Sequence, residues 1–164
     1  MKDSKRFTSK RKLLEVYDCI RENAVDYCVS YKDEKEIDSL NIRQATIRCM
    51  HDSIRGLEKV TPSFLIVDGC DFIPYRNEEN IVTKYTTVEG GDNLYTCIAA
   101  ASILAKVERD KYIEKMCEDY PELDEKYGLL KNKGYGTKIH IEGIKTHGIT
   151  KWHRKTYGIC KQFA

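Results

Sequence analysis

One apolar run constrains the fold of this chain more than any other feature. Residues 64–67 read Phe-Leu-Ile-Val without interruption and are followed directly by Asp68 and Gly69. A strand that is apolar on both faces is typical of a sheet covered by helices on both sides. The run therefore predicts a buried strand in a layered α/β fold, with an acidic residue where the strand ends.

Helix and strand patterns alternate along the rest of the chain. Apolar residues at helical spacing predict helices, and alternating or β-branched runs predict strands. The remaining predicted elements are a helix from Thr8 or Ser9 to Ala24, a strand over 25–31, a polar bend over 32–36, a helix ending near Gly56, a strand over 81–88, a helix over 95–119 and a helix over 137–147. Three strand candidates are few for a stable α/β sheet.

Composition indicates one soluble intracellular domain. The 164 residues suit a single compact unit, and a hydrophobic fraction of 41% is enough to build a core. An unbroken apolar run of about 18 residues, which a membrane span needs, is not found. The basic start is not followed by an apolar stretch, so a secretory signal is not predicted. We expect a cytoplasmic monomer that does not use a membrane.

The cysteines predict neither disulfides nor zinc. There are seven, an odd number, and none forms a Cys-x-x-Cys pair. We expect reduced thiols that are mostly buried.

Charge is unevenly distributed although the net charge is only +2. From Lys126 to the end there are nine basic residues against one acid, Glu142, and the first twelve residues carry six bases against Asp3. Basic ends around an acidic centre are typical of a protein that binds a polyanion and holds metal ions. Solvated tails explain the same pattern equally well.

Two carboxylates are candidates for metal binding. Asp68 ends the apolar strand, and Asp92 follows the next predicted strand just before a long helix. Carboxylates are the hard oxygen ligands that Mg²⁺ prefers. The alternatives are that Asp68 belongs to an ordinary Asp-Gly turn and that Asp92 caps the helix. Asp71, Glu89 and Asp110 are weaker candidates.

A glycine-rich loop is the candidate for contact with nucleic acid. Residues 131–137 read Lys-Asn-Lys-Gly-Tyr-Gly-Thr, which combines cations for phosphates with an aromatic ring for stacking. The four histidines form no metal-binding or catalytic pattern, so we expect ordinary surface or partly buried side chains.

Several strings in a fixed order resemble the ribonuclease HII family over nearly the whole chain. They are the segments at 3–8 (Asp-Ser-Lys-Arg-Phe-Thr), 37–46 (Ile-Asp-Ser-Leu-Asn-Ile-Arg-Gln-Ala-Thr), 67–69 (Val-Asp-Gly), 91–92 (Gly-Asp), 99–110 (Ala-Ala-Ala-Ser-Ile-Leu-Ala-Lys-Val-Glu-Arg-Asp), 133–137 (Lys-Gly-Tyr-Gly-Thr) and 153–155 (His-Arg-Lys).

The resemblance implies a ribonuclease H-like α/β fold, with a mixed sheet flanked by helices and a helical C-terminal extension. It divides the single domain, residues 1–164, into a core at 1–125 and a basic extension at 126–164. It implies a metal-dependent endonuclease that cuts the RNA strand of RNA–DNA hybrids and cuts 5′ to ribonucleotides in duplex DNA. Asp68 and Asp92 match two of four carboxylates that hold Mg²⁺ or Mn²⁺. Positions implied to contact nucleic acid are Ser4, Lys5, Lys133, Tyr135 and Arg154.

One departure from the family pattern opens a second interpretation. Strands carrying Gly-x-Asp-Glu-Ala-Gly-Arg-Gly, with the other two metal-binding acids, precede the Asp-Ser-Lys segment in that family, whereas this sequence starts at the segment. Without those strands, residues 64–68 are expected to lose a pairing partner. The alternative to an active enzyme is thus an inactive relative that at most binds hybrids. A small basic interaction domain without catalytic ancestry is the third hypothesis.

Overall fold

A computed structural model describes residues 9–164, which form two compact units. The first unit contains residues 9–31 and Ile47–Glu108, and the second contains Lys32–Thr46 and Arg109–Ala164. The elements are α1 (Lys10–Asn23), α2 (Glu34–Leu40), α3 (Ile42–Arg55), β1 (Phe64–Asp68), β2 (Lys84–Val88), α4 (Gly91–Leu94), α5 (Thr96–Asp119), α6 (Glu122–Tyr127), α7 (Leu129–Asn132), α8 (Lys138–His147) and a final 3-10 helix (Gly158–Gln162).

Helices α1 and α5 form the apolar core of the first unit. The predicted apolar stripe of α1 brings Tyr17 and Ile20 against α5, where Ile103 and Leu104 are also buried. The Tyr17 hydroxyl donates a hydrogen bond to Glu108, so this buried ring keeps a polar partner. Apolar spacing in the sequence therefore predicts this contact surface correctly.

The sheet consists of β1 and β2, which pair in parallel from Phe64 opposite Lys84 to Asp68 opposite Val88. The predicted burial of β1 on both faces is wrong. Its middle residues are half-buried, and Phe64 is 51% exposed. Within residues 9–164, β1 pairs with another strand on one edge only.

The strand predicted over residues 25–31 is also wrong. Val25 and Tyr31 are 73% and 75% exposed, and the segment joins no ladder. The two backbone groups of Ser30 bond instead to side chains of α3. The Ser30 N–H donates to Ser53 Oγ at 3.3 Å, and its carbonyl accepts from Cys49 Sγ at 3.0 Å. Alternating apolar and polar residues form a strand only where a neighbouring strand can hydrogen-bond to their backbone N–H and C=O groups.

Part of the polar bend predicted at 32–36 is the first turn of α2. Asp33 and Glu36 form a capping box, in which the Asp33 side chain accepts from the Glu36 N–H and the Glu36 carboxylate accepts from the Asp33 N–H. This reciprocal pair satisfies two amides that a helix start leaves unbonded. A run of polar residues therefore begins a helix rather than a turn.

All seven cysteines are free thiols, as expected, but most are not buried. Only Cys117 and Cys160 are buried, whereas Cys19, Cys70 and Cys97 are exposed. The expectation of mostly buried thiols is therefore wrong. An apolar neighbourhood in the sequence did not indicate which face of an element each thiol occupies.

The core of the second unit is built by short helices around Leu123. Leu123 and Tyr127 from α6 pack with Ile144 from α8, Ile113 from α5 and Cys160 from the final 3-10 helix. The Tyr127 hydroxyl donates to the carbonyl of Gly148 at 3.1 Å.

No helix among residues 9–164 combines the length and the apolar character that crossing a membrane requires.

Gly143 of α8 provides a test of the packing against α6. A Cβ at this buried position would lie 2.2 Å from the Lys126 carbonyl oxygen and 3.0 Å from Tyr127 Cδ1. Alanine gains about 1 kcal/mol of helix propensity over glycine, but overpacking against backbone costs about 1–3 kcal/mol. We expect Gly143→Ala to lower the free energy of unfolding in urea titrations. Gly136→Ala is the control, since its Cβ would meet nothing within 4 Å, and equal effects would contradict this packing.

Candidate functional site

Asp68 is held at the carboxyl end of β1 by a turn that follows β2. The Gly91 N–H donates to Asp68 Oδ1 at 2.8 Å. The parallel register pairs Asp68 with Val88, so both strands end at this edge, and the Gly69 N–H continues the ladder to the Val88 carbonyl at 3.0 Å. Open α/β sheets present functional side chains at this edge.

Gly91 is buried and lies close to the side chains of Ile98 and Asp68. A Cβ there would lie 2.6 Å from Ile98 Cδ1 and 3.5 Å from Asp68 Oδ1. Gly90 before it has a φ of 65°, a left-handed conformation that favours glycine. The two glycines therefore let the chain turn and bring an amide against the Asp68 carboxylate.

Asp92 follows Gly91 directly and lies half-buried in the first turn of α4. Its Oδ1 accepts a hydrogen bond from Asn93 Nδ2 at 2.9 Å. The alternative was that Asp92 caps the long helix α5, but Asp92 lies inside α4, and α5 begins four residues later at Thr96. The structure therefore places Asp92 one residue from the amide that binds Asp68.

The two carboxylates have the chemistry of a magnesium or manganese site. The structure shows one hydrogen bond to each, both at Oδ1, and within residues 9–164 neither Oδ2 accepts another. Mg²⁺ is usually held by one or two carboxylates together with water and substrate phosphates. The part of the chain from Ser9 onward contains no group of three or more acidic, His or Cys side chains that could hold a metal. The described residues therefore offer two carboxylates of the type that a hard cation prefers, and binding of a metal by them stays a prediction.

The predicted nucleic-acid loop belongs to the second unit, where polar groups fix its backbone. Asn132, only 7% exposed, donates to the Tyr127 carbonyl at 2.6 Å and accepts from the Gly134 N–H at 2.8 Å. Arg109 of α5 donates to the Lys133 carbonyl at 2.9 Å. Lys133 and Gly134 both have positive φ, 51° and 80°, which turns the chain sharply before Tyr135.

Tyr135 projects from this fixed loop with 63% of its surface exposed. The Arg109 guanidinium lies over its ring, 5.6 Å from the centroid. An exposed aromatic ring beside a cation is suited to stack on a base or sugar next to a phosphate. Arg109 belongs to one of the matched sequence motifs, but the sequence did not indicate that its guanidinium lies beside Tyr135.

The other predicted nucleic-acid residues have different surroundings. The Lys133 ammonium lies 2.8 Å from Glu114 Oε1, and its side chain is 15% exposed. The Arg154 guanidinium lies over the ring of Tyr157, 4.0 Å from the centroid. Ser4 and Lys5 fall outside the described residues. Lys133 is therefore already paired with an acid, whereas Arg154 is stacked on an aromatic ring.

Asp38 anchors the segment that follows Arg154. Its carboxylate accepts from the Lys155 N–H at 2.7 Å, from the Thr156 N–H at 3.0 Å and from the Thr156 hydroxyl at 2.6 Å. Burial acts to raise the pKa of Asp38, but the hydrogen bonds from Thr156 and Lys155 and the charge of Arg154 hold it below its ordinary value. Sequence reasoning included Asp38 in a matched string without assigning it this role.

Two histidines of the second unit are buried and paired, which differs from the expectation of ordinary surface or partly buried side chains. His140 and His153 are each 8% exposed, and their Nε2 atoms lie 3.2 Å apart. His140 Nδ1 lies 3.0 Å from the Tyr135 carbonyl oxygen. No spacing in the sequence indicated this contact, because the two residues come from separate segments.

Comparisons with known proteins identify the family. The ribonuclease HII family model matches residues 1–160. The chain belongs to the ribonuclease HII family. It is 42% identical to the ribonuclease HII of Parabacteroides distasonis over 162 residues, which covers 99% of this chain and 76% of that protein. It is 39% identical to the ribonuclease HII of Cytophaga hutchinsonii over 157 residues, which covers 96% of this chain and 73% of that protein.

A solved structure of the same type shares the fold. The ribonuclease H2 of Pyrococcus horikoshii OT3 superposes with a TM-score of 0.73 at 22% identity, covering 98% of this chain and 78% of that one. The predicted ribonuclease H-like α/β fold is thereby confirmed. Membership of the ribonuclease HII family makes the chain a type 2 ribonuclease H, a hydrolase of the nuclease class.

Buried His153 predicts how this ribonuclease HII domain responds to acid. Burial, and secondarily His140, lowers the pKa of His153 from 6.5 to about 4. Between pH 6.5 and about pH 4, His153 binds a proton in the unfolded chain but not in the folded chain. The contribution of His153 to the free energy of unfolding therefore falls as the pH is lowered through this range, and it is constant above it. We expect the free energy of unfolding to fall more steeply from pH 6.5 to 4.5 in the wild type than in His153→Gln, by up to about 1 kcal/mol per pH unit. Urea titrations at several pH values measure it, and parallel profiles would contradict it.

Proposed function

We propose that this chain hydrolyses the RNA strand of RNA–DNA hybrids and cuts 5′ to ribonucleotides embedded in duplex DNA. The products are a 3′-hydroxyl and a 5′-phosphate. The observation that carries the proposal is the hydrogen bond from the Gly91 N–H to Asp68, which ties the end of β1 to the turn that carries Asp92. The cytoplasmic location, the monomeric state and the division at residue 125 stay predictions.

Asp68 and Asp92 would hold Mg²⁺ or Mn²⁺ through the oxygens that the turn leaves open. The bound cation supplies positive charge that activates water and stabilises the leaving oxygen. The chain's own contribution is orientation, since the Gly91 N–H fixes one oxygen of Asp68 before any ligand arrives. Preorganised groups of this kind stabilise a transition state without a reorganisation cost.

Tyr135 and the basic residues supply the contacts to nucleic acid in this proposal. The exposed Tyr135 ring stacks on the sugar beside the ribonucleotide, and Arg154 and Lys133 approach phosphates, Lys133 by exchanging Glu114 for the phosphate. Ser4 and Lys5 are proposed to lie near the bound strand, from the resemblance of their segment to the family. Nine bases against one acid from Lys126 onward favour a polyanionic ligand.

Neutralising either acid tests the metal-site proposal. In Asp68→Asn the amide oxygen still accepts from the Gly91 N–H, so the fold is retained while the charge is lost. We expect Asp68→Asn and Asp92→Asn each to lower the cleavage rate on a duplex with one ribonucleotide by about 100-fold or more, in Mg²⁺ and in Mn²⁺. Gel assays under single-turnover conditions measure this rate.

Glu89→Gln is the matched control for the two acid variants. Glu89 is exposed and directly follows β2, so the substitution removes a charge near the same edge of the sheet. We expect it to cleave at the wild-type rate. Cleavage by Asp68→Asn at the wild-type rate, or an equal loss in Glu89→Gln, would contradict the assigned roles.

Tyr135→Ala tests the nucleic-acid contact separately from cleavage. Loss of one stacking ring costs about 1–3 kcal/mol. We expect the Kd for a hybrid, measured by fluorescence anisotropy in Ca²⁺ to suppress cleavage, to rise about tenfold. Tyr112→Ala, at an exposed tyrosine of α5 outside the loop, serves as control. Equal effects of the two variants would count against a specific contact by Tyr135.

A second candidate function is hybrid binding without cleavage. It is favoured by one observation, that residues 9–164 contain no group of three or more side chains that could hold a metal. Two acidic side chains alone would bind the two metal ions of this hydrolysis mechanism only weakly. Hybrid binding that depends on Tyr135, together with no cutting in either metal, would establish this second function in place of the first.

A further inference from the structure

The buried histidine pair in the second unit connects two backbone segments through a chain of hydrogen bonds. At one end, the Thr150 N–H lies 3.0 Å from His153 Nδ1. In the middle, the Nε2 atoms of His153 and His140 lie 3.2 Å apart. At the other end, His140 Nδ1 lies 3.0 Å from the Tyr135 carbonyl oxygen. The chain of bonds therefore ends at the residue whose ring is proposed to contact the substrate.

The two ends fix the direction of every bond between them. A backbone N–H only donates, so His153 Nδ1 accepts and the neutral ring carries its proton on Nε2. His153 then donates to His140 Nε2, which leaves the proton of His140 on Nδ1. A carbonyl oxygen only accepts, and His140 Nδ1 faces one. The tautomers required by the two ends agree, so the pair has one consistent arrangement.

The surroundings maintain this neutral arrangement. Both rings are 8% exposed, and the Tyr127 ring packs edge-on against each, with centroids 6.1 Å from His140 and 5.0 Å from His153. Burial lowers the pKa of His153 to about 4, so its ring is neutral at neutral pH. The Thr150 hydroxyl also lies 2.8 Å from His153 Nδ1, which gives this nitrogen a second donor.

We propose that His140 and His153 are positioning residues for substrate recognition, which hold the Tyr135 loop through this directed hydrogen-bond chain. The inference rests on the proposed role of Tyr135. The Tyr135 carbonyl also accepts from the Thr137 N–H at 2.7 Å, so His140 adds a bond from the buried side to one made within the loop. The histidines hold the backbone at Tyr135, while its side chain stays exposed beside Arg109.

The tautomers are tested first on the wild-type protein. Two-bond ¹H–¹⁵N correlation spectra at pH 7.5 distinguish protonated from unprotonated imidazole nitrogens. We expect His140 to be protonated at Nδ1 and His153 at Nε2. The opposite tautomer at either residue, or a charged ring, would overturn the inference. This measurement uses no nucleic acid and so does not depend on the proposed function.

Two nearly isosteric variants of His140 test the effect on binding. Asparagine places its amide nitrogen near the Nδ1 position and can still donate to the Tyr135 carbonyl, whereas glutamine places it near Nε2 and cannot. We expect His140→Gln to raise the Kd for a hybrid about five- to tenfold, and His140→Asn to stay within about twofold of the wild type. Equal Kd values for the two variants would overturn the inference.

A double-mutant cycle separates positioning from general destabilisation. If His140 acts through Tyr135, His140→Gln adds little further loss of binding to Tyr135→Ala, and the two effects are not additive. Additive losses would overturn the inference. If Tyr135→Ala alone leaves binding unchanged, the contact assumed in the proposed function fails instead. In that case, amide hydrogen exchange at residues 134–136 tests the hydrogen-bond chain without nucleic acid. We expect exchange to be faster in His140→Gln than in His140→Asn. Equal exchange rates would overturn the inference.

Discussion

The Gly91 amide joins the end of β1 to the turn after β2, and the candidate active site depends on this bond. It reaches Asp68 because a glycine at this position lets the backbone pass close to Ile98 and the carboxylate. Asp92 then follows as the next residue, so one backbone bond sets the neighbourhood of both acids. A side chain at position 91 would require Ile98 to move, and it would contact the Asp68 carboxylate at about the van der Waals distance.

The second unit uses buried polar groups for a similar purpose. Asn132, His140 and His153 are buried polar side chains, and each contacts the loop around Tyr135 directly or through another member. Buried polar groups require partners, so they tolerate few alternative arrangements of the chain. An exposed tyrosine supported in this way meets a ligand with little loss of loop entropy on binding.

The sequence predicted the helices and strands that are indicated by a local pattern of apolar residues. It failed where contacts with residues distant in the chain determine the structure. Helices α1, α5 and α8 lie within a residue or two of their predicted positions, since the apolar residues at helical spacing that predict a helix are neighbours in the chain. The strand predicted at 25–31 failed because side chains of α3 take up its backbone groups. For the site, the ends of β1 and β2 indicated Asp68 and Asp92. The pairing of His140 with His153 could not be predicted, because it depends on tertiary packing between separate segments.

The ion pair between Lys133 and Glu114 changes how the basic end of the chain should be counted. The Lys133 ammonium already lies 2.8 Å from a Glu114 carboxylate oxygen, so the two side chains together carry no net charge before nucleic acid binds. A phosphate that recruits Lys133 replaces one anion by another, and Glu114 must then be solvated again. Counterion release grows with the number of cations that newly neutralise phosphates. The ionic-strength dependence of hybrid binding should therefore reflect fewer charges than the nine bases from Lys126 onward suggest.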